Sequence, residues 1–91
     1  MNLDDDIVNA KRLVIMSLLF LLREVRESDL RRITDLSWGC LSTHLARLEK
    51  KGYIERKRKL TAKGFHTVIR ITEKGYKKYY QEAEKLRKLL R

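Results

Sequence analysis

The sequence predicts an α+β fold built from a three-helix core, a β-hairpin and a long C-terminal helix. Between residues 41 and 48, leucines recur at spacings of four and three, which is typical of the buried side of a helix. Two extended runs, 54–60 and 66–72, enclose a short glycine-containing segment, as in a hairpin. The chain has no proline and no repeat, so residues 1–91 are expected to form one domain.

The first helix is predicted to begin at the acidic residues Asp4–Asp6, which suit the positive end of a helix dipole. It is expected to continue to about Val25. Nearly every residue from Leu13 to Leu22 is apolar, so this helix should lie at the centre of the core. A membrane span takes about 20 apolar residues, so the run from Leu13 to Leu22 is too short to cross a membrane. We therefore expect a cytoplasmic protein that has no membrane partner.

A short second helix is predicted to follow. Ser28 can cap it with its hydroxyl oxygen, and the helix should extend from Asp29 to about Thr34. Leu30 and Ile33 are expected to face the core. Leu36 then lies in a tight turn that leads to the third helix.

The third helix is predicted to run from Trp38 to Lys51. Ser37 can cap its beginning, and Gly52 can end it in the left-handed conformation. Residues 28–52 therefore have the order helix, short turn, helix. This is a helix-turn-helix, in which the second helix enters the major groove of DNA.

The face of the third helix opposite the leucines has the composition of a DNA-reading surface. Small and hydroxyl side chains lie near its start and cations lie further along, which suits base edges and phosphates respectively. An ordinary amphipathic helix with a polar exterior remains an alternative, and Trp38 is also explained by packing against the second helix or the hairpin. The predicted DNA-binding residues here are Trp38, Gly39, Ser42, Thr43, Arg47 and Lys50.

The hairpin, about residues 54–72, carries a run of positive charge. Its strands are predicted at Ile54–Leu60 and His66–Thr72, with a loop at Thr61–Phe65 in which Gly64 can take a positive φ. Four consecutive cations would place charge on both faces of the first strand. We predict phosphate contacts, with a basic edge strand that prevents aggregation as the alternative. The hairpin residues predicted to bind DNA are Arg56, Lys57, Arg58, Lys59, Lys63 and His66.

The last helix, Glu73 to about Leu90, is predicted to be capped by Thr72. Its apolar residues recur at spacings of three and four, as in the seam between two helices. The seam could pack on the first helix of the same chain. Because the hairpin and third helix already occupy much of that core, we predict a homodimer instead. The predicted dimer interface consists of Tyr76, Tyr79, Ala83, Leu86 and Leu90.

Positive charge is concentrated in the second half of the chain. Residues 1–45 hold six Lys or Arg and seven Asp or Glu, whereas residues 46–91 hold sixteen and five, a net charge of +11. A lysine-rich surface that serves only solubility is the alternative, but such surfaces usually balance Lys with Glu. The asymmetry therefore predicts a polyanionic partner, which in this fold would be double-stranded DNA.

Several segments resemble the MarR/ArsR-type winged-helix regulators, especially their short single-domain members. The resemblance covers about residues 8–90. Its most specific parts are L-S-x-H-L-x-x-L-E-x-x-G-Y-I-E, which begins at Leu41, and T-x-x-x-I-T-x-x-G, which begins at Thr67. Two departures are Phe65 and His66, where these proteins often carry Pro and Arg, and Cys40 at an often polar position.

This resemblance implies a winged helix-turn-helix with the order α1–α2–α3–hairpin–α4 and a short strand near Arg26–Ser28 that joins the sheet. It also implies that the third helix lies in the major groove and that the hairpin is a wing on the adjacent backbone. Proteins of this type dimerise through their terminal helices, which agrees with the predicted seam.

No set of residues suggests catalysis, so we do not expect an enzyme, and no cofactor is predicted. Cys40 and His44 lie four residues apart, but zinc would need further ligands, and a redox role for Cys40 is a minor alternative. His44 is expected to be buried and hydrogen-bonded.

The predicted function is a sequence-specific, DNA-binding transcriptional regulator that acts as a homodimer, with no effector specified. The alternatives are an architectural DNA-binding protein without sequence choice and a winged helix that contacts protein or RNA.

Overall fold

The structure, a computed structural model, describes residue 7 and residues 9–90. This part of the chain has the α+β architecture and the order of elements that the sequence predicts. Its elements, in chain order, are α1 (Ala10–Leu22), β1 (Glu24–Arg26), α2 (Glu27–Thr34), α3 (Trp38–Lys50), β2 (Ile54–Thr61), β3 (Gly64–Ile71) and α4 (Glu73–Leu89). No helix in these residues is long and apolar enough to cross a membrane.

Helix α1 begins at a side-chain cap and ends earlier than predicted. The Asn9 side-chain oxygen accepts hydrogen bonds from two backbone amides of the first turn, at 3.1 and 3.4 Å. The predicted acidic start at Asp4–Asp6 lies outside the described residues. At the other end, Arg23 takes a φ of 71° and the helix stops at Leu22. The prediction that the helix continues to Val25 is wrong, because Val25 pairs with β3 instead.

Helix α2 follows β1 without a side-chain cap. It begins at Glu27, so Ser28 lies inside the helix and is not the predicted cap. The implied strand near Arg26–Ser28 is present, but as β1 it ends at Arg26. Leu30 is fully buried as predicted, whereas Ile33 is 47% exposed, so its predicted orientation toward the core is wrong.

Helix α3 begins and ends as the sequence predicts, to within one residue. The Ser37 Oγ accepts a hydrogen bond from the backbone amide three residues on, at 3.1 Å. Gly52 takes a φ of 77°. The amides of Tyr53 and Gly52 donate to the carbonyls of Leu48 and Glu49, at 3.0 and 2.9 Å. These two bonds form a Schellman motif, which satisfies the last carbonyls of the helix.

The three strands form an antiparallel sheet in the order β1–β3–β2. Strands β2 and β3 pair without interruption from Ile54 opposite Ile71 to Thr61 opposite Gly64. The turn is therefore shorter than the predicted loop Thr61–Phe65, since only residues 62 and 63 lie between the strands. Gly64 has a φ of 105°, as predicted for this position.

The core lies between α1, the leucine stripe of α3 and one face of the sheet. The residues that form it share almost complete burial, with exposures of 8% or less. From α1 the core takes Ile15, Met16 and Leu19; from α3, Leu41, Leu45 and Leu48; and from the sheet, Ile54, Ile69 and Ile71. The predicted central position of the first helix is thus confirmed.

The first half of α4 packs against α1 of the same chain. The ring of Phe20 lies 4.3 Å from that of Tyr76 and 4.6 Å from that of Tyr79, measured between centroids. The Tyr79 hydroxyl is hydrogen-bonded to Ser17 Oγ at 2.8 Å. The prediction of an exposed seam is therefore corrected for Tyr76 and Tyr79, which contribute to the fold of the single chain.

The start of α4 is fixed to the junction between α3 and β2. As predicted, Thr72 caps α4, and its Oγ1 accepts a hydrogen bond from the Gly75 amide at 3.0 Å. The same hydroxyl donates to the Gly52 carbonyl at 2.6 Å, and the Thr72 amide donates to the Tyr53 carbonyl at 3.0 Å. These bonds hold the helix start at a fixed place beside the base of the hairpin.

Candidate nucleic-acid interface

Helix α3 presents a continuous exposed face opposite its buried leucines. Trp38 is 51% exposed, and the guanidinium of Arg31 from α2 lies 5.4 Å from the centre of its ring. Trp38 therefore contacts α2, in agreement with the alternative that it packs there, and about half of it is also exposed to solvent. All six residues predicted to bind DNA on this helix are exposed: Trp38, Gly39, Ser42, Thr43, Arg47 and Lys50.

A hydrogen-bonded pair of side chains joins α3 to α1 behind this face. Arg12 is only 8% exposed, and its Nη1 lies 3.1 Å from His44 Nδ1. Because an arginine can only donate, this geometry requires an unprotonated Nδ1. Burial lowers the pKa of His44, and the nearby positive charges of Arg12, Lys11 and Arg47 lower it further. The prediction that His44 is hydrogen-bonded within the protein is confirmed, but the side chain is half-buried rather than buried as predicted.

We expect the free energy of unfolding to decrease as the pH falls below about 6.5. The unfolded chain binds a proton at His44 near pH 6.5, whereas the folded chain binds it only at lower pH because the pKa is lowered. Urea unfolding at pH 7.5 and 5.5 measures this difference. In His44→Gln, whose side-chain oxygen can still accept from Arg12, the decrease should be smaller than in the wild type.

Three carboxyl groups have a lowered pKa and therefore titrate below that window. A hydrogen bond from Lys59 lowers the pKa of Glu24, one from Arg26 lowers that of Asp29, and one from Arg87 lowers that of Glu84. These groups lose their contribution to stability only below about pH 4.5. An identical pH dependence in the wild type and His44→Gln would therefore contradict the assignment to His44.

Cys40 and His44 lie one helical turn apart on the side of α3 that faces α1. Lys11 Nζ is 3.8 Å from the Cys40 Sγ, and Arg12 contacts His44. Two cations beside the pair oppose the binding of a metal ion. Within residue 7 and residues 9–90, no three His, Cys, Asp or Glu residues lie close enough together to hold a metal.

On the hairpin, Arg56 differs from the other predicted DNA contacts. Its guanidinium lies 3.5 Å from a carboxylate oxygen of Glu49 and 3.9 Å from one of Glu27. Its Nη2 also donates to the Ser42 carbonyl at 3.5 Å, and the side chain is only 25% exposed. Arg56 thus joins the hairpin to α2 and α3, and its contact with phosphate stays a prediction.

The remaining cations of the hairpin are accessible. Lys59 Nζ lies 2.9 Å from Glu24 and Lys57 Nζ lies 3.6 Å from Glu55, but both lysine side chains are about half exposed. Exposed ion pairs of this kind contribute little to stability, so a phosphate can replace the carboxylate. Arg58 and Lys63 are exposed near the tip, and His66 is half-buried opposite Lys59.

Two exposed apolar residues at the tip were absent from the sequence-based set of DNA contacts. Leu60 is 72% exposed and Phe65 is 62% exposed, and they are cross-strand partners one residue pair before the turn. The shorter turn makes them a pair, whereas the predicted five-residue loop would have left Phe65 unpaired. The sequence does contain a signal for this pair, because bulky apolar residues lie close to the cations of the hairpin.

Comparisons with known proteins match nearly the whole described chain. The family model described as "winged helix DNA-binding domain" matches residues 11–90. The chain is 31% identical over 68 residues to the uncharacterized HTH-type transcriptional regulator YdgJ of Bacillus subtilis, an alignment that covers 75% of this chain and 41% of that protein. This chain therefore spans less than half the length of that relative. It is 34% identical over 80 residues to the uncharacterized protein MJ0432 of Methanocaldococcus jannaschii, covering 85% and 87%.

Solved structures share the same arrangement of elements. A transcriptional regulator homologue from Pyrococcus horikoshii OT3 superimposes with a TM-score of 0.88 at 26% identity, over 93% of this chain and 84% of that one. A protein of Porphyromonas gingivalis W83 assigned to the MarR family superimposes with a TM-score of 0.60 at 21% identity, over 96% and 94%. The second similarity concerns the fold alone.

Proposed function

Because the chain belongs to the winged helix DNA-binding domain family, we propose that it is a sequence-specific, DNA-binding transcriptional regulator that acts as a homodimer. The predicted membership of the winged-helix regulators is confirmed, and DNA-binding regulation is supported by the family model and by the regulators that this chain resembles. Sequence choice and dimerisation are the proposed parts. We also propose, as the sequence predicts, that the protein is cytoplasmic and has no catalytic activity.

The exposed face of α3 is the observation that carries the proposal. Ser42 and Thr43 have short side chains and lie in the first half of the helix, where a recognition helix approaches base edges. Arg47 and Lys50 lie in its last turn. There they can reach phosphates, and Arg47 can also bind a base. The buried leucines of α3 and the Arg12–His44 pair hold α3 in a fixed orientation in the absence of DNA.

The hairpin is proposed to act as a wing on the DNA backbone. The exposed cations of the hairpin lie on both faces of its first strand and in its turn: Lys57, Arg58, Lys59 and Lys63. Neutralising phosphates releases counterions, which makes the affinity depend on salt concentration. With these contacts, α3 would supply the sequence choice and the wing would supply most of the remaining affinity.

A second copy is proposed to cover the apolar surface that remains beside α4. Ala83, Leu86 and Leu90 continue the seam beyond the two tyrosines, and Leu90 is 85% exposed. On α1, Leu21 is 75% exposed and lies one residue from Phe20, which contacts α4. Uncovered leucines on two adjacent helices are typical of a protein–protein contact. A symmetric pair would then present two α3 helices to successive turns of a duplex.

Variants of α3 and of the wing should affect DNA binding in different ways. Ser42→Ala with Thr43→Ala should cost roughly 1–3 kcal/mol on a duplex selected from a random pool and little on a scrambled duplex. Arg58→Ala with Lys63→Ala should weaken both duplexes alike and lower the salt slope by about one unit per lost contact. Fluorescence-anisotropy titrations at several salt concentrations measure both effects.

Lys88→Ala is the matched control, since it removes an exposed cation from the far end of α4. This variant should leave the preference for the selected duplex unchanged. The salt dependence of its affinity should stay within about one unit of the wild-type slope. A wild type that binds selected and scrambled duplexes equally would contradict sequence choice and favour the architectural alternative. A wild type that binds RNA or protein but no duplex would contradict DNA binding itself.

A further inference from the structure

We propose that the tip of the wing, formed by Leu60 and Phe65, is an apolar wedge that enters the minor groove of DNA and opens a base step. The inference rests on the proposed DNA binding and identifies how one part of the surface contacts the duplex. Leu60 and Phe65 lie directly opposite each other, one residue pair before the two-residue turn. With exposures of 72% and 62%, they form one apolar end on a positively charged hairpin.

The tip projects beyond the part of the sheet that the core covers. Ile54, Ile69 and Ile71 lie on the same face as the tip pair and are buried at the base of the hairpin. Arg56 is the last side chain of β2 held against α3, and Leu60 lies four positions further along the strand. At about 3.3 Å per residue the tip therefore extends roughly 13 Å past that contact.

The wedge points to the side of the sheet on which α3 lies. Alternate residues of a strand share a face, so Leu60 lies on the face of Arg56. Arg56 contacts α3 through the Ser42 carbonyl and Glu49. A duplex whose major groove is occupied by α3 would present its adjacent minor groove to a hairpin that extends on this side.

Positive charge surrounds the tip and matches the phosphates that border a groove. The Arg58 guanidinium lies 5.1 Å from the centre of the Phe65 ring and shares its face. Lys63 is exposed in the turn itself. Proteins that bend DNA at the minor groove insert Phe or Leu side chains between base steps while cations bind the phosphates alongside. The tip of this wing combines these two features.

The wedge can be tested by replacing the apolar pair and measuring the shape of the bound DNA. The wild type should bend a selected duplex of about 30 base pairs by between 20° and 90°, measured by energy transfer between dyes at its ends. Leu60→Ser with Phe65→Ser should abolish the bend and weaken binding about tenfold to hundredfold with an unchanged salt slope. A 2-aminopurine base at the opened step should brighten with the wild type alone.

A matched control replaces the neighbouring cross-strand pair on the opposite face, Lys59→Ser with His66→Ser. This variant should keep the bend and lower the salt slope. Both double variants change exposed or half-buried positions, and their thermal unfolding should match that of the wild type. Equal bends and equal affinities for the wild type and the Leu60/Phe65 variant would overturn the wedge while DNA binding stands.

Other outcomes separate the wedge from the function on which it rests. A wild type that binds no duplex would overturn the proposed function. A wild type that binds duplex without bending it would overturn only the wedge. If the Leu60/Phe65 variant binds and bends DNA normally but no longer binds phosphatidylcholine–phosphatidylglycerol vesicles that the wild type binds, the tip is a membrane contact and the wedge is wrong.

Discussion

Gly75→Ala is expected to destabilise the protein by at least about 3 kcal/mol, the upper end for a side chain forced into a packed site. A Cβ atom at Gly75 would overlap the Tyr53 carbonyl oxygen and would lie 2.9 Å from the carbonyl carbon. Neither atom belongs to a flexible side chain. The start of α4 would have to separate from the hairpin base, which also breaks the Thr72 hydrogen bonds.

Gly39→Ala is the matched control for this substitution. Gly39 also lies in the first turn of a helix, but a Cβ there would meet nothing within 4 Å. Because alanine favours the helix over glycine, this variant should be unchanged or more stable by up to about 1 kcal/mol. Urea unfolding followed by circular dichroism compares the two, and equal stabilities would show that α4 does not approach Tyr53 so closely.

Leu86→Glu is expected to convert the proposed dimer into a monomer and to weaken binding to a two-half-site duplex about 10²–10⁴-fold. Symmetry places each substituted residue in the contact twice, so two carboxylates would be buried without partners. Affinity is lost because a monomer binds only one half-site. In a dimer, the first bound subunit holds the other subunit at a high effective concentration near the second half-site. Analytical ultracentrifugation and DNA titration measure the two effects.

Gln81→Glu is the control, because it adds the same charge on the opposite side of α4, where the residue is exposed. It should leave the association state unchanged. Leu90→Glu provides a second variant in case Leu86→Glu unfolds, since Leu90 is 85% exposed in the single chain. A wild type that sediments as a monomer at high concentration, or a dimer that survives both substitutions, would refute this interface.

Most of the candidate site could be predicted because its signals are local. The capping serine, the leucine stripe and Gly52 define α3 within a single segment, and they determine which of its residues are exposed. The end of α1 could not be found this way. Leu21 and Leu22 have the composition of a helix, but Val25 pairs with Ile69 of a distant strand, and this pairing requires the helix to end.

The same limit applies to individual side chains. Arg56 belongs to a run of four cations that are alike in the sequence, yet only Arg56 faces the carboxylates of Glu27 and Glu49. Tyr79 fits a seam for a second copy as well as it fits Phe20 of the same chain. The choice between these contacts depends on how helices pack, and spacing along one helix carries no information about its neighbour.

The sequence by itself determined the order of the helices and the hairpin, the exposed face of α3 and the concentration of positive charge in the second half of the chain. Each follows from periodicity, capping or counting within one segment. Only the tertiary structure decided that Gly75 touches the Tyr53 backbone, that α4 contributes its tyrosines to the core, and that Leu60 and Phe65 meet at an uncovered tip. The physical reason is that burial and close approach depend on residues brought together from separate segments.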